Sequence, residues 1–217
     1  MRATLGVILV MTLFSTLGKS QTNSYIFIFF NPNPNRKELS QADTDTLQAR
    51  HMRNIRRLAD EGKLLAAGPF EGGGGIFVFN TSTSDSVDDW LRTDPAFRAG
   101  RWTSEFYPYT PRVGSVRSVK GEVKMMRYTL ISYKVASFDS TERNKRGLLA
   151  HERFVRKTIP VDSIVAEGSL GDGIGALLIL RKGVKVKKLE RERAIRDKSL
   201  LLIRRDLWIA RGSFGEK

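Results

Sequence analysis

The chain has 217 residues, of which 41% are hydrophobic and 28% are charged, a composition typical of a globular protein and not of a disordered one. It has no cysteine and only two histidines, which excludes disulfide bonds, a thiol nucleophile, cysteine-ligated metals and a histidine-rich metal centre. Because no metal-ligand cluster and no dinucleotide-binding fingerprint occurs either, we expect neither a metal nor a cofactor.

The first twenty residues have the pattern of an export signal. An N-terminal arginine precedes an apolar stretch, residues 5–17, and the small residues Gly18 and Ser20 stand at positions −3 and −1 of a cut before Gln21. The alternative is an uncleaved membrane anchor, but the apolar stretch is shorter than the ~20 residues that a spanning helix needs. The sequence therefore predicts a signal peptide over residues 1–20 and a secreted or periplasmic protein.

The next part of the chain alternates between strand and helix patterns. Apolar runs bounded by turn-forming residues predict four strands, and two amphipathic stretches with capping residues predict two helices. In chain order these are a strand over 25–30, a helix over 41–61, strands over 64–68 and 76–80, a helix over 84–92 and a strand over 101–109. This βαββαβ order is typical of a ferredoxin-like unit, a four-stranded antiparallel sheet with both helices on one face.

Similar residues recur one hundred positions later, which predicts a duplicated domain. The two histidines form such a pair, and glycines that begin or interrupt the predicted strands form two more: His51 with His151, Gly68 with Gly168, and Gly75 with Gly175. We expect a first domain over 24–111, a linker over 112–123 and a second domain over 124–214. In the second domain a basic helix is predicted over 185–203 and a last strand over 206–214.

A sheet with helices on one face leaves its other apolar face uncovered. Two such units in one chain can cover each other by packing sheet against sheet. The predicted fold class is therefore α+β, with two ferredoxin-like βαββαβ units packed as an intramolecular dimeric α/β barrel. Further association of whole chains into a homo-oligomer is compatible with this arrangement but is not required by it.

Three features of the first half occur in a fixed order: a histidine on the first helix, a Gly-Pro pair after the second strand and an Asp-Pro pair before the last strand. They are His51, Gly68-Pro69 and Asp94-Pro95, with Gly75 opening the third strand and Gly100 closing the Asp-Pro segment. This pattern resembles the YCII-related family of the dimeric α/β-barrel superfamily. The resemblance implies a ferredoxin-like barrel, a His51/Asp94 site, and a cleft beside Gly68, Pro69 and Gly75 for a small organic substrate such as a ring lactone or an aromatic compound.

His51 has two interpretations. A histidine can take up and return a proton near neutral pH, and a carboxylate bonded to its other nitrogen fixes the orientation of the ring. Asp94 is the carboxylate that the resemblance offers for this role. Alternatively, His51 only packs beside Leu47 and Ile55, and Asp94 only caps the segment that follows it.

The second half is interpreted as a degenerate copy. His151 is retained, but Pro69 is replaced by Ser169 and the Asp-Pro pair has at best Asp197-Lys198 as its counterpart. Since no proline interrupts the predicted basic helix, we expect Asp197 on a solvated face. His151 would then lack an orienting carboxylate, and the second site would be inactive.

The positive charge is concentrated in the second half. Residues 24–113 carry 11 basic and 11 acidic side chains, whereas residues 114–217 carry 24 and 12. Residues 181–196 are the most basic segment, but no aromatic side chains interleave with the charges to stack on bases, so nucleic acid is not expected as a partner. An anionic lipid or cell-wall surface fits this segment better.

Two functions from different classes remain open at this point. One is a cofactor-independent isomerase, lyase or hydrolase-like enzyme that uses His51 and Asp94 on a small molecule. The other is a non-catalytic exported protein that binds a small molecule in the same cleft or serves as a scaffold.

Overall fold

Two successive βαββαβ runs make up the molecule. The computed structural model describes residues 25–138 and 140–216, so the predicted signal peptide over 1–20 lies outside the described residues. The first run comprises β1 Tyr25–Pro32, α1 Gln41–Asp60, β2 Leu64–Pro69, β3 Gly75–Phe79, α2 Ser84–Arg92, α3 Pro95–Arg98 and β4 Trp102–Val113. The second comprises β5 Met125–Val135, α4 Thr141–Thr158, β6 Ile164–Leu170, β7 Gly175–Arg181, α5 Lys187–Glu190, α6 Arg193–Arg196 and β8 Leu200–Ala210. This order confirms the predicted fold class.

The long helices begin at capping serines. The side-chain oxygen of Ser40 accepts a hydrogen bond from the backbone N–H of Asp43, which satisfies one of the free donors at the start of α1. Ser140 does the same for Arg143 at the start of α4. The buried face of α1 carries His51, Asn54 and Leu58, so this helix presents polar as well as apolar side chains to the sheet.

All eight strands belong to one antiparallel sheet, in the order β2-β3-β1-β4-β6-β7-β5-β8. Pairing of β4 with β6 joins the two halves. At the opposite end β2 meets β8, where Phe70 pairs with Leu207 and the N–H of Glu71 donates to the carbonyl of Asp206 over 2.9 Å. The sheet therefore closes on itself as a barrel.

Three apolar clusters fill the molecule. The largest lies inside the barrel and combines residues of both halves, among them Phe27, Tyr109, Leu130 and Leu207. The other two lie outside the barrel, one between the first-half sheet and its helices and one between the second-half sheet and its helices. Each half thus buries one sheet face against its own helices and the other against its counterpart, as predicted.

The end of the second half differs from the prediction. The prediction of one basic helix over 185–203 is wrong, because this segment contains only the four-residue helices α5 and α6. The strand predicted over 206–214 begins earlier, at Leu200, and pairs with β5 along the full length of that strand. The apolar side chains of this segment explain the difference: Leu189 packs on the helix-side core, while Leu200 and Leu207 enter strand pairing, so tertiary burial overrides the helical pattern of the charges.

The connection between the halves is packed against the barrel. β4 extends to Val113, which pairs with Glu167 of β6, and Val116 is buried in the barrel core. The N–H of Ser115 donates to the carbonyl of Phe214 over 2.9 Å. Within residues 25–138 and 140–216, no helix has the length and apolar character needed to cross a membrane.

Candidate active site

His51 and Asp94 meet between the first-half helices and the sheet. His51 lies in the middle of α1, and Asp94 is the residue immediately before α3. The His51 Nδ1 atom and the Asp94 Oδ2 atom are 2.7 Å apart, and the two side chains are 10% and 1% exposed. The predicted proximity of these residues, 43 positions apart in the chain, is therefore confirmed, whereas their role in a reaction stays a prediction.

The two oxygens of Asp94 have different partners. Oδ1 accepts hydrogen bonds from the backbone N–H groups of Ala96, at 2.9 Å, and Phe97, at 3.3 Å, and so caps α3. Oδ2 accepts from His51. Pro95 stands at the first position of α3, where its missing N–H costs nothing. Capping and contact with the histidine, which the sequence left as alternatives, are thus combined in one carboxylate.

The surroundings keep Asp94 ionised. Burial by itself would raise the pKa of this carboxyl group, but the hydrogen bond and charge of His51, together with the N–H groups of Phe97 and Ala96, outweigh it. The pKa of Asp94 therefore lies below its ordinary value of 3.8. A charged carboxylate can only accept hydrogen bonds, so the Nδ1 atom of His51 must carry the hydrogen. The neutral ring is therefore the Nδ1–H tautomer.

A polar network behind Asp94 was not found from the sequence. The Asn54 Nδ2 atom lies 3.4 Å from Asp94 Oδ2, and the Asn54 Oδ1 atom accepts from Arg57 at 2.9 Å and from Thr93 at 3.1 Å. Asn54 and Arg57 stand three and six positions after His51. On a helix, residues three positions apart are neighbours, so Asn54 lies beside both His51 and Arg57, and this spacing is the signal that could have pointed to them.

Aromatic rings form the walls around His51. The ring of Phe77, on β3, stacks parallel to the imidazole with centroids 6.1 Å apart, and that of Trp102, on β4, lies 5.0 Å away at 52°. Within the described part of the chain, no side chain hydrogen-bonds to His51 Nε2. With the proton on Nδ1, this nitrogen carries the free lone pair. The arrangement can therefore accept a proton from a molecule that lies against the aromatic walls.

Part of the first half matches a known protein family. The model of the YCII-related domain matches residues 26–108, the segment that contains both His51 and Asp94. Residues 26–108 form a YCII-related domain. A comparison with curated protein sequences finds no match to this chain.

Solved structures with a similar arrangement of elements cover both halves. A candidate monooxygenase from Lactobacillus acidophilus is 11% identical, with 86% of this chain and 94% of that one covered and a TM-score of 0.44. A candidate monooxygenase from Fusobacterium nucleatum is 8% identical, with 87% and 93% covered and a TM-score of 0.48. An anthrone oxidase-like protein is 12% identical, with 89% and 94% covered and a TM-score of 0.48. At these values the likenesses say nothing about chemistry, which has to follow from the residues of this chain.

The residues predicted to line a cleft of the YCII-related domain lie in the sheet. A Cβ atom on Gly68 would lie 2.4 Å from the carbonyl oxygen of Trp208, so this glycine allows the close approach of β2 to β8. Gly75 lies opposite Pro69 in the β2–β3 pair, and a Cβ there would lie 2.5 Å from the Gly68 oxygen. Pro69 lines a cavity of about 120 Å³ at the β2–β8 seam. Among the described residues, no hydrogen bond or ring contact joins these three to His51.

The histidine of the second half, outside the YCII-related domain, also has a carboxylate partner. The His151 Nδ1 atom lies 2.5 Å from Glu192 Oε2. The prediction that His151 lacks an orienting carboxylate is therefore wrong. Glu192 immediately precedes α6, as Asp94 immediately precedes α3, so the short helices bring an acidic residue to the same place in both halves.

Asp197, the residue predicted as the counterpart of Asp94, does not contact His151. It follows α6 and is exposed, as expected, and its carboxylate accepts from the N–H and the hydroxyl of Ser199 at 3.0 and 2.7 Å. These two bonds, with the nearby Arg193 and Arg196, lower the pKa of Asp197. In the part of the chain that the structure describes, no group of three or more histidine and acidic side chains is arranged to hold a metal ion.

Proposed function

We propose that the YCII-related domain is an acid–base enzyme in which Nε2 of His51 takes a proton from a small organic substrate. The 2.7 Å hydrogen bond between His51 and the buried Asp94 supports this proposal most directly. It holds the ring in one orientation, keeps the proton on Nδ1 and leaves Nε2 as the base. Asp94 also stabilises the imidazolium that forms when the proton arrives, because its own proton affinity is low.

The proposed reaction moves a proton within the substrate. Nε2 accepts a proton from a carbon atom next to a carbonyl group, and the electron pair of that C–H bond moves onto the carbonyl oxygen. The same proton returns to another carbon of the conjugated system, which gives an isomer and restores the neutral histidine. No oxidant, reductant or cofactor is needed for this balance.

The walls of the site favour a planar, unsaturated substrate. Phe77 and Trp102 offer aromatic faces beside the imidazole, and such surfaces pack well against flat rings. An unsaturated ring lactone with a C–H bond next to its carbonyl group has both the flat shape and the acidic proton. This class of substrate belongs to the proposal.

Deuterium exchange tests the proposal without knowledge of the natural substrate. We propose incubating the protein in D2O with unsaturated γ-lactones and following loss of the C–H signals by NMR. The wild type should exchange at least one lactone faster than buffer does, and His51→Gln should lose about 10²–10⁴-fold of that rate. Asp94→Asn should lower kcat more than it changes KM, whereas the exposed Asp89→Asn serves as the matched control and should behave as wild type. Equal exchange by wild type and His51→Gln would overturn the proposal.

A binding experiment separates this proposal from a purely binding role. A lactone that raises the melting temperature of wild type and His51→Gln equally, without exchange, would favour a non-catalytic binding protein.

Export belongs to the same proposal. The charge, apolar stretch and small residues of segment 1–20 support cleavage between Ser20 and Gln21. The intact mass of the full-length gene product, recovered from a bacterial periplasm, should correspond to a chain that begins at Gln21. Recovery of the uncleaved chain in the membrane fraction would indicate an anchor instead.

A further inference from the structure

The second half holds a buried polar cluster that the YCII-related match does not include. At its centre the imidazole of His151, 2% exposed, contacts the carboxylate of Glu192, 9% exposed, over 2.5 Å. The pair lies between α4 and the second-half sheet, as His51 and Asp94 lie between α1 and the first-half sheet. Unlike Asp94, Glu192 accepts no capping hydrogen bond from the helix that follows it, so among the described residues its side chain hydrogen-bonds to the histidine alone.

Tyr133, on β5, places a phenol ring directly against this histidine. The ring centroids of Tyr133 and His151 are 3.8 Å apart, and the Tyr133 hydroxyl is fully buried without a hydrogen-bond partner in the described part of the chain. Burial, and then the charges of Glu192 and Glu167, raise the pKa of Tyr133 well above its ordinary value. The hydroxyl therefore keeps its proton, and among the described residues it finds no acceptor.

A second buried polar atom beneath α4 also lacks a partner. Glu167, on β6, accepts from Arg112 with Oε1 at 3.3 Å, whereas its Oε2 has no partner among the described residues. Buried donors and acceptors without partners are costly, and native proteins satisfy nearly all of them. Two such atoms in one cluster, a donor on Tyr133 and an acceptor on Glu167, indicate an occupant with both hydrogen-bonding functions.

We infer that the second half carries its own acid–base site, in which His151 is the base, Glu192 is its positioning residue and the Tyr133 hydroxyl donates to the carbonyl oxygen of a small enolisable compound. His151 Nε2 accepts a proton from the carbon beside that carbonyl, the electron pair moves onto the oxygen, and Tyr133 hydrogen-bonds to the resulting enolate. The proton then returns from His151 to carbon. This inference rests on residues of the second half only and stands independently of the function proposed for His51.

The two sites differ in the chemistry of their walls. Around His51 the neighbouring rings are Phe77 and Trp102, whereas the ring beside His151 is the phenol of Tyr133. Phe154 stands one hundred positions after Asn54, so the amide that supports Asp94 has no counterpart. The second site therefore recognises an oxygen atom through a hydrogen bond, and its substrate is smaller and more polar than a flat ring held between aromatic faces.

Entry to the second site requires movement of its cover. His151 and Tyr133 are 2% and 0% exposed. Glu192 lies between α5 and α6, which are helices of four residues each. Helices this short depend on their tertiary contacts and open more easily than the long α4. A small probe is therefore the appropriate one.

Acetylacetone, a small 1,3-dicarbonyl compound, is the probe for the test. The experiment uses the full chain with His51→Gln, which silences the first site and leaves His151 as the only histidine. Exchange of the central C–H protons of acetylacetone in D2O is followed by NMR against buffer alone, and the single imidazole Cε1–H signal is followed as acetylacetone is added. We expect saturable, protein-dependent exchange and a shift of the imidazole signal at the same concentrations.

Second-site variants on this background identify the residues. His151→Gln should lower the exchange rate by about 10²–10⁴-fold, and Tyr133→Phe should lower kcat on the order of 10²-fold. Glu192→Gln should lower kcat with little change in KM, and Glu192→Asp should restore part of the loss, which a merely structural carboxylate would not do. The exposed Asp197→Asn is the matched control and should leave exchange unchanged.

Two results would overturn the inference. One is equal exchange by His51→Gln and by His51→Gln/His151→Gln. The other is an imidazole signal of His151 that does not move with acetylacetone, which would mean that buried water alone satisfies Tyr133 and Glu167. The second measurement needs no substitution in the second site, so it decides the matter even where Glu192→Gln fails to fold. Failure of the function proposed for His51 would appear elsewhere, as equal lactone exchange by wild type and His51→Gln.

Discussion

Asp94 and Glu192 occupy the same position in the two halves: each is the residue before the last short helix of its half, and each contacts the histidine of the preceding long helix. They differ in their other partners. Asp94 also caps α3 and touches Asn54, whereas Glu192 makes neither contact. In the part of the chain that the structure describes, the Asp94 carboxylate therefore accepts hydrogen bonds from α3 and Asn54 as well as from its histidine, whereas the Glu192 carboxylate bonds to its histidine alone.

The double role of Asp94 predicts different effects for two substitutions. Asp94→Ala removes the cap of α3 and the partner of His51, so the free energy of unfolding should fall by about 1–2 kcal/mol. Asp94→Asn keeps a side-chain oxygen for Ala96 and Phe97 and should lose clearly less. Urea denaturation of the two variants measures the difference. Equal losses would show that the cap contributes nothing to stability.

The lowered pKa of Asp94 predicts a specific acid response. A carboxyl group whose folded-state pKa is depressed contributes stability that is complete above its unfolded value and is lost as pH falls through the folded one. The part of the wild-type stability advantage over Asp94→Asn that comes from this charge should therefore be complete above pH 3.8 and shrink as pH falls below it. Unfolding free energies at closely spaced pH values test this. An advantage that persists unchanged at the most acid pH would show that His51 and the N–H groups do not stabilise the charge.

The first half could be predicted closely because its local patterns agree with its tertiary structure. Turn-forming residues and capping serines mark the ends of β1 and α1, and Pro95 marks the start of α3. The resemblance supplied the pairing of His51 with Asp94. Helical spacing places Asn54 beside His51 on α1, but it does not show that Asn54 reaches Asp94, forty positions further along the chain.

The second half was less predictable for a physical reason. The segment between β7 and β8 has a nearly continuous basic pattern, which predicts one solvated helix. Because Val186 and Leu189 are buried in the core, the segment forms two short helices instead. That division moves the acidic residue facing His151 from the predicted Asp197 to Glu192. Burial of single side chains, which sequence spacing alone does not reveal, decided the outcome.

The surroundings of two glycines predict opposite effects when each is replaced by alanine. On Gly68 a Cβ atom would lie 2.4 Å from the Trp208 oxygen and 2.9 Å from Ile209 Cβ, so Gly68→Ala should separate β2 from β8 and cost about 1–3 kcal/mol. Gly147 lies within α4 with nothing within 4 Å of such an atom, so Gly147→Ala should stabilise by about 0.5–1 kcal/mol. Thermal denaturation compares the two. Stabilisation by Gly68→Ala would contradict the observed seam.

The basic segment 181–196 predicts salt-dependent binding to anionic surfaces. Its eight lysines and arginines are all exposed, whereas Glu192 is turned inward to His151. Vesicles that contain phosphatidylglycerol should bind the protein at low ionic strength and release it as salt screens the charges. Lys187→Glu/Lys188→Glu should weaken cosedimentation without altering the fold. Equal binding to neutral vesicles would show that these charges are not responsible.

The barrel also predicts how an isolated half behaves. Residues 24–113 alone would expose Phe27, Phe29 and Tyr109, which the second half covers in the full chain, together with the unpaired edges of β2 and β4. This fragment should therefore dimerise or aggregate, as light scattering after gel filtration would show.

The fragment should also prefer residues 114–217 to a second copy of itself. In the full chain β4 pairs with β6, which contains Ser169, whereas in a dimer of the fragment β4 would pair with β2. There Pro69 has no N–H to donate, so this pairing is the weaker one. Coexpression should accordingly yield a 1:1 complex of the halves. A soluble monomer of 24–113 with the melting temperature of the full chain would contradict this account of the barrel.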